Sequence, residues 1–442
     1  MRDYVLTLII VCIVPVCLMR PWLGFIAWFW LGLMNPHRLT WGFAYSMPFA
    51  MWIGGATLLG MVFAKDRRPV PWTSELVLMV VLLAYFTMTC FFAWAPAFAW
   101  PQLEKVAKII LMTILVGMFI YGKQRIYALL FTIALSLGFY GFKGGIWSIL
   151  HGGAERVQGP ENSFLDGNTF IGLALNMVLP LILFLARDSE KKWMKYGLYL
   201  TAFLTVISII FTYSRGAYLG LAAILPFLVW RARYRWFAII FLGGGILAAP
   251  FVLPDKVFER AEQIENYQED GSANQRLQSW TVAWNIAMDR PLTGAGFEFE
   301  FAGDDERWFS YGSEKYNRFI HYSSAAHSIY FQVLGQHGFV ALALFLAMVA
   351  CSMLRLQRLR RLSSGSADTQ WIGGAATALQ IGLVGYVVSG AFLSSAYFDL
   401  AYLYYALGAI LAREARASVV VTEHVSPRVE GHMAKLGSNP RT

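Results

Sequence analysis

The amino-acid sequence predicts an all-α polytopic membrane protein with about twelve transmembrane helices and a large helical periplasmic loop. Of its 442 residues, 57% are hydrophobic and only 14% are charged, whereas soluble domains carry roughly 25% charged residues. The apolar residues are grouped in runs, and a helix needs about 20 of them to cross a membrane. A disordered chain is excluded, because such chains are poor in aromatic residues and this one has 16%.

Thirteen apolar runs separated by polar breaks are candidate spans. They are residues 4–19, 22–34, 45–64, 75–94, 103–121, 125–142, 168–186, 194–212, 216–230, 236–253, 326–354, 371–393 and 397–412. The first two runs are short and are separated by Arg20 and Pro21, so they form either one broken span or a re-entrant pair. We therefore expect twelve spans.

Lys and Arg residues collect in five of the short loops, and loops of this kind lie on the cytoplasmic side. The five clusters are Lys65/Arg67/Arg68, Lys123/Arg125, Arg187/Lys191/Lys192/Lys195, Arg231/Arg233/Arg235 and Arg355/Arg358/Arg360/Arg361. An even number of spans separates each cluster from the next, which predicts cytoplasmic chain ends. The net charge of +9 follows from this loop bias, so we expect no nucleic-acid partner.

The spans divide the chain into an N-terminal transmembrane bundle (1–253), a periplasmic loop or cap (254–325), C-terminal transmembrane helices (326–412) and a flexible cytoplasmic tail (413–442). The loop is the only long hydrophilic stretch, and it holds 13 of the 27 acidic residues. Four of its apolar residues recur at helical spacing: Leu277, Trp280, Trp284 and Met288. The loop should therefore fold as a helical cap, and we expect the function to reside there.

The sequence contains no recognisable nucleotide or metal motif. It lacks a Walker loop and an HExxH pair, and its four cysteines show no CxxC spacing. Asp304, Asp305 and Glu306 are contiguous, but successive residues point in different directions, which favours a solvated charge run over a metal site. We expect no cofactor, and an activity independent of metal and nucleotide.

Arg215 is the most informative basic residue, because it lies between two apolar runs. An arginine at membrane depth usually faces a cavity and has a partner. The two interpretations are an ion pair that fixes helix packing and a substrate anion, and the anion is favoured because no carboxylate lies within twenty residues. Taken singly, Arg276 in the cap and Arg156 in the first outer loop are each typical of surface arginines. Together with Arg215 they supply the guanidinium groups that a diphosphate requires.

Two histidines, His327 and His337, lie at the start of the run that follows the cap. On a continuous helix their rings would be about 80° apart and about 15 Å apart along the axis, which excludes a shared metal ion. A histidine at a span end is often only interfacial. Beside outer-face arginines, it is a candidate general base, with an activity limb between about pH 6 and 7.

Several segments resemble the O-antigen ligase and polymerase superfamily. They are SRGAYLG after an apolar span, an NQR…W helix in a large outer loop, and HSIYFQVLGQHG at the start of the next span. RPWLGFIAWFWLGLMNPHRLTWGFAY, PWT, QLEKVAKIILMT and LGFYGFKGGIW are similar to the exosortase-associated O-glycosylation ligases within it. The resemblance covers nearly the whole chain to about residue 412.

The resemblance implies an inverting membrane glycosyltransferase that takes a glycan from undecaprenyl diphosphate on the periplasmic face of the bacterial inner membrane. The acceptor is the lipid A–core oligosaccharide for a ligase, another carrier-linked glycan for a polymerase, or a protein hydroxyl for a protein O-glycosylation ligase. By motif, Arg215 and Arg276 resemble the arginines that engage the diphosphate. The family's histidine motif is HNxYLxxLxExG, and here Ser328 replaces the Asn and His337 falls in the stretch usually occupied by the acidic residue. The base is therefore either His327 or His337.

Two other classes fit part of the pattern. In a transporter or flippase for an anionic lipid, Arg215 would be a substrate counter-ion, but the sequence shows no internal repeat. A structural scaffold would leave the arginine between apolar runs and the two histidines without a role.

The predicted topology can be tested by labelling single cysteines in intact cells. A cysteine at Ser272, in the cap, should react with an impermeant reagent, and one at Ser364, beside a basic cluster, should not. Protection of position 272 together with labelling of position 364 would reverse the orientation.

Overall fold

A computed structural model describes residues 1–231, 236, 243, 271–317, 320–363 and 367–436, and within them it contains fifteen α-helices and no β-strand. The helices are α1 (Arg2–Met19), α2 (Pro21–Met34), α3 (Phe49–Phe63), α4 (Ser74–Cys90), α5 (Pro96–Phe119), α6 (Gly122–Leu150), α7 (Asn168–Asp188), α8 (Lys192–Ile210), α9 (Arg215–Trp230), α10 (Gly271–Asp289), α11 (Asp305–Ser310), α12 (Glu314–Asn317), α13 (Ile329–Leu362), α14 (Gln370–Gly390) and α15 (Asp399–Leu436). The predicted all-α class is confirmed.

Six of the described helices are long and apolar enough to cross a membrane, namely α1, α6, α7, α8, α13 and α14. Four shorter apolar helices accompany them, namely α2, α3, α4 and α9. The length and apolar composition of these helices identify a multi-pass membrane protein. The predicted span 236–253 lies almost entirely outside the described residues, so the count of twelve stays a prediction. Helix α15 continues beyond residue 412, into the segment predicted as a tail.

The first two apolar runs form separate helices. Helix α1 ends at Met19, and Pro21 occupies the first turn of α2, where its missing N–H has no helical partner to lose. Helices α1, α2 and α3 share an apolar cluster of their own that includes Ile10, Leu31 and Ile53.

Helices α7 and α14 are the most buried of the long apolar helices. A polar residue on α7 joins them to α9, because the Asn176 amide donates to the Ala217 carbonyl at 2.9 Å and to the Ser389 hydroxyl at 3.2 Å. Small residues allow this approach. A Cβ atom on Gly220 would lie only 1.9 Å from the Ser389 Oγ atom. The start of α9 is therefore held against α7 and α14.

Helix α13 contains a backbone break that the sequence analysis missed. Gly338 has φ 78° and ψ −173°, inside what was predicted as one continuous span over 326–354. A side chain at this position is excluded twice, by the positive φ and by the Pro291 carbonyl oxygen, which would lie 2.3 Å from a Cβ atom.

The cap docks on the bundle through backbone hydrogen bonds at this break. The Ala295 and Gly296 amides donate to the Gly335 and Gln336 carbonyls at 2.9 and 2.8 Å, and the Phe339 amide donates to the Pro291 carbonyl at 2.9 Å. In an unbroken helix, the groups of α13 would make the hydrogen bonds of the helix itself. The break frees them to bind the cap.

The cap helix α10 confirms the predicted helical periodicity, although its most deeply buried residues are not the four whose spacing indicated it. Trp284 is 49% exposed and Met288 is 61% exposed, whereas Gln278, Val282, Ala283, Ile286 and Ala287 are buried. The helix packs closely against α13, where a Cβ atom on Gly335 would lie 2.9 Å from the Ala283 Cβ atom. Trp280 and Trp284 contact α13 through the rings of Phe331 and Phe339.

A buried ion pair joins α4 to α13. The Glu75 carboxylate accepts a hydrogen bond from the Arg355 Nε group, and the Glu75 side chain is completely buried. Removing one partner of a buried pair strands the other charge, which costs roughly 3–5 kcal/mol.

Replacing Glu75 by Gln should therefore lower the thermal unfolding temperature of the purified protein clearly. The matched control is Glu104→Gln, because Glu104 pairs with Lys108 at an exposed position on α5, where a pair contributes only about 0–1 kcal/mol. Equal unfolding temperatures for the two variants would show that the buried pair does not stabilise the bundle.

Candidate functional site

Arg215 is the first residue of α9, and local capping fixes where that helix begins. The Ser214 hydroxyl accepts from the Ala217 amide at 3.3 Å, which satisfies one of the first N–H groups of the helix. Gly216 lies against the loop that follows α14, since its Cβ position would be 3.2 Å from the Phe392 Cβ atom. Arg215 is half-buried at this junction.

Arg156 lies on an outer loop that is pinned to the turn before α9. The Val157 amide donates to the Phe211 carbonyl at 2.9 Å, and the Tyr213 hydroxyl donates to the Gly153 carbonyl at 2.5 Å. Burial raises the pKa of the Tyr213 phenol, and the nearby positive charge of Arg156 opposes that shift. The exposed Arg156 is thus held near Tyr213, two residues before Arg215.

His327 precedes α13 rather than lying on it. Its backbone is left-handed, with φ 47°, and its amide donates to the Ser394 hydroxyl at 2.8 Å. The ten-residue helical spacing between His327 and His337 therefore does not apply. Burial, together with the positive charge of Arg276, lowers the pKa of His327 to about 4. The ring is neutral at physiological pH.

Trp280 fixes the cap helix beside His327. Its indole N–H donates to the Ala326 carbonyl at 2.7 Å, and its ring stacks on Phe331 with 5.0 Å between centroids. The Phe392 ring lies 6.4 Å from the Trp280 ring. Arg276 is on the preceding turn of the same helix, which explains its electrostatic effect on His327.

The loop between α14 and α15, residues 391–398, connects these elements, and the sequence analysis missed it. Its Phe392 packs at Gly216 and near Trp280, and its Ser394 accepts from the His327 amide. Its Ala396 amide donates to the Gln332 carbonyl oxygen Oε1 at 3.0 Å. The sequence signal available was the short polar gap FLSSAYFD between two apolar runs.

His337 occupies a different environment, completely buried in the bundle. Its Nδ1 atom is 2.7 Å from the Thr89 Oγ1 atom, and its Nε2 atom is 3.1 Å from the Tyr397 hydroxyl. The rings of Phe86 and Phe297 lie 4.2 and 4.3 Å from the imidazole. Both ring nitrogens are occupied by protein groups, so the geometry resembles a structural histidine.

A buried polar network extends from His337 to the cap. The Tyr397 hydroxyl donates to the Gln336 Oε1 atom at 2.7 Å, and the Gln336 amide donates to the Glu300 carboxylate at 3.3 Å. Burial raises the pKa of Glu300 to about 7. This network adds side-chain contacts to the backbone docking of the cap at Gly338.

The contiguous acidic residues of the cap have local structural roles. The Asp304 carboxylate accepts from the Arg307 amide at 3.2 Å and caps α11, and the Asp305 carboxylate accepts from the Ser323 amide at 2.7 Å. In the part of the chain that the structure describes, no group of three His, Cys, Asp or Glu side chains has a metal-binding arrangement.

The arrangement links two arginines and a neutral imidazole through one loop. Arg276 is close enough to His327 to lower its pKa, the His327 backbone amide donates to Ser394, and Phe392 of the same loop packs at Gly216, next to Arg215. Helices α9 and α13 both begin here, and a helix N-terminus carries partial positive charge. Such a site attracts an anion and offers a proton acceptor next to it.

Two protein-family models match parts of this chain. Residues 200–346 match a family model described as O-antigen ligase, and residues 1–190 match one described as a family of unknown function. A comparison with curated proteins finds no match. The exosortase-associated subgroup stays a prediction. The first match includes Arg215, Arg276 and both histidines, and it confirms the resemblance of this segment to the O-antigen ligase superfamily.

Proposed function

We propose that this protein is a membrane glycosyltransferase that moves a glycan from undecaprenyl diphosphate to lipid A–core oligosaccharide. The reaction takes place at the periplasmic face of the bacterial inner membrane and inverts the anomeric carbon. The observation that carries the proposal is the junction of Arg215, Arg276 and His327 at loop 391–398, inside the segment that matches O-antigen ligases.

The arginines act on the leaving group. The glycosidic bond to a diphosphate breaks with charge gathering on the phosphate oxygens, and preorganised cations stabilise that charge. Arg215 stands at the N-terminus of α9, where the helix dipole adds to the guanidinium charge. Arg276 lies on the other side of the loop, and the exposed Arg156 supplies a third cation near the turn that precedes α9.

His327 acts as the base that removes the proton from the acceptor hydroxyl. We favour it over His337, because both nitrogens of His337 contact protein groups. The low pKa of free His327 arises partly from Arg276. A bound diphosphate would neutralise that charge and raise the pKa of His327, so donor binding would strengthen the base.

Two close alternatives use the same chemistry, a polymerase with a carrier-linked acceptor and a protein O-glycosylation ligase. Incubating the purified protein with carrier-linked glycan and each acceptor separately tests all three. Product with lipid A–core alone supports the proposal. No product with any acceptor, and movement of carrier lipid across the bilayer instead, favours the transporter or flippase.

Replacing Arg215 by Lys keeps the charge but removes the fork that binds two oxygens. We expect transfer to fall about tenfold to a hundredfold, the loss of a charged hydrogen bond of roughly 1.5–3 kcal/mol. Arg307→Lys is the matched control, because that guanidinium stacks on Trp94 at 3.8 Å and a lysine can replace it there. Near-normal transfer by Arg215→Ala would instead favour a packing role.

Replacing His327 by Ala should lower single-turnover transfer by about 10²–10⁴-fold while donor binding persists. The exposed His321 provides a control, and His321→Ala should keep the full rate. His337→Ala should act through stability, lowering the unfolding temperature more than the transfer rate per folded molecule. A full rate in His327→Ala would show that this imidazole is not the base.

The pH profile gives an independent measurement. A base must be deprotonated, so kcat/KM should fall as the pH drops through the pKa of free His327, near 4 and below the 6 to 7 expected of an unperturbed imidazole. The limb in kcat should lie at higher pH, because kcat reports the donor complex. Coincident limbs in the two profiles would contradict the coupling between donor charge and His327.

A further inference from the structure

A cavity of about 1460 Å³ lies at the end of the bundle opposite to the ligase site. Residues of six helices line it, near the start of α6, α8 and α14 and the end of α7, α9 and α13. The candidate site stands at the other ends of three of these helices, α9, α13 and α14. The volume exceeds the roughly 300–1,000 Å³ of ordinary small-molecule pockets.

The lining of this cavity is strongly basic. Two acidic residues, Asp188 and Asp368, face five basic ones: Lys123, Arg187, Lys195, Arg231 and Arg360. Asp188 is already engaged, since it accepts from the Tyr127 hydroxyl at 2.6 Å. The cavity therefore favours an anion.

The three arginines that line the cavity are close together. The Arg187 Nη1 group donates to the Arg231 carbonyl at 2.9 Å, and the Arg231 Nη1 group donates to the Thr377 hydroxyl at 3.2 Å. Burial and the neighbouring charges of Arg360 and Arg187 lower the pKa of Arg231. Like charges in this arrangement repel, and a bound anion would remove the repulsion.

A second observation is independent of charge. Ser363 lines the cavity and is 2% exposed, and its hydroxyl has no hydrogen-bond partner among the residues that the structure describes. A buried hydroxyl without a partner costs free energy unless a ligand satisfies it. An acceptor oxygen such as that of a phosphate would do so.

The remaining wall is apolar. Leu183, Phe184, Leu228 and Ile381 line it, and Trp371 stands beside Tyr127. Basic loop residues alone are explained by membrane orientation. Two half-buried arginines, Arg231 and Arg360, together with an unsatisfied hydroxyl and an apolar wall in one cavity, are not.

We propose that this cavity binds an anionic phospholipid, with the phosphate among Arg187, Arg231, Arg360 and Ser363 and the acyl chains along the apolar wall. Basic pockets between transmembrane helices are suited to lipids of this class, and a lipid with two phosphates uses all five basic groups best. On the predicted topology, the lipid belongs to the cytoplasmic leaflet.

The test uses the full chain in phosphatidylcholine nanodiscs that contain a small fraction of cardiolipin, with bound lipid measured by native mass spectrometry. The double variant Arg231→Gln, Arg360→Gln should weaken cardiolipin binding at least about tenfold, at roughly 1 kcal/mol for each basic residue. The matched control is Arg358→Gln with Lys192→Gln, which removes equal charge from exposed residues near the same membrane face.

The double variant Arg231→Lys, Arg360→Lys keeps the charge, so it should restore most of the binding even where the Gln variant folds poorly. Equal cardiolipin retention by the Gln variant and the control would overturn the proposal. Retention of phosphatidylcholine by the unsubstituted protein equal to its retention of cardiolipin would also overturn it. Millimolar inorganic phosphate distinguishes the source of the anion. Complete displacement of the lipid by phosphate would identify a site for a free anion and would contradict a lipid site.

Discussion

The backbone break at Gly338 is the constraint on which the outer half of the structure depends. An unbroken helix would keep the Gly335 and Gln336 carbonyls and the Phe339 amide in its own ladder. The break releases these three groups, and the segment after α10 binds all of them. A cap held only by side chains on a membrane surface would move relative to the bundle. Backbone hydrogen bonds fix its register, and only glycine permits the required conformation.

The position of the candidate site follows from that docking. Once α10 is fixed against α13, Trp280 reaches the Ala326 carbonyl and Arg276 comes next to His327. The histidine itself is held from the other side by Ser394. Residues from the cap, from the segment before α13 and from the loop after α14 thus meet although they are far apart in the sequence.

Under the proposed function, the charge of Arg276 affects two steps, proton removal by His327 and stabilisation of the diphosphate. A cation beside an imidazole lowers its basicity, which would be a disadvantage for a general base in the free protein. The same cation is suited to a phosphate oxygen, and on the proposed function a bound donor would remove the part of the pKa depression that Arg276 causes, while the larger part, which burial causes, would remain. Under the proposed function, His327 becomes an effective proton acceptor mainly when the leaving group is in place.

Composition and hydropathy were sufficient to predict the all-α class and the approximate bounds of most helices, because apolar length is read directly from the chain. Arg215 was selected as a candidate because it lies between two apolar runs, and Arg276 and His327 because they lie in the segments NQR…W and HSIYFQVLGQHG. The deep burial of Gln278, Ala283 and Ala287 on α10 was not predicted, because it depends on the close approach of this helix to Gly335 of α13. Loop 391–398 was missed because its contacts are made by backbone groups and by Phe392 and Ser394, whose residue types carry no chemical signal alone.

The length of α14 relates the two ends of the bundle. Its 21 residues span about 31 Å at 1.5 Å per residue, close to the roughly 30 Å of the hydrocarbon core. One of its ends enters loop 391–398, and the other lines the basic cavity through Trp371 and Gly373. A helix of this length keeps both polar regions at the level of lipid headgroups, on opposite surfaces. Under the proposed function, a lipid-linked diphosphate would then reach Arg215 from its own leaflet without its charge entering the hydrocarbon. An anionic lipid in the opposite cavity would hold the far ends of α9, α13 and α14 together. It would thereby fix the spacing between α9, which carries Arg215, and α13, which follows His327.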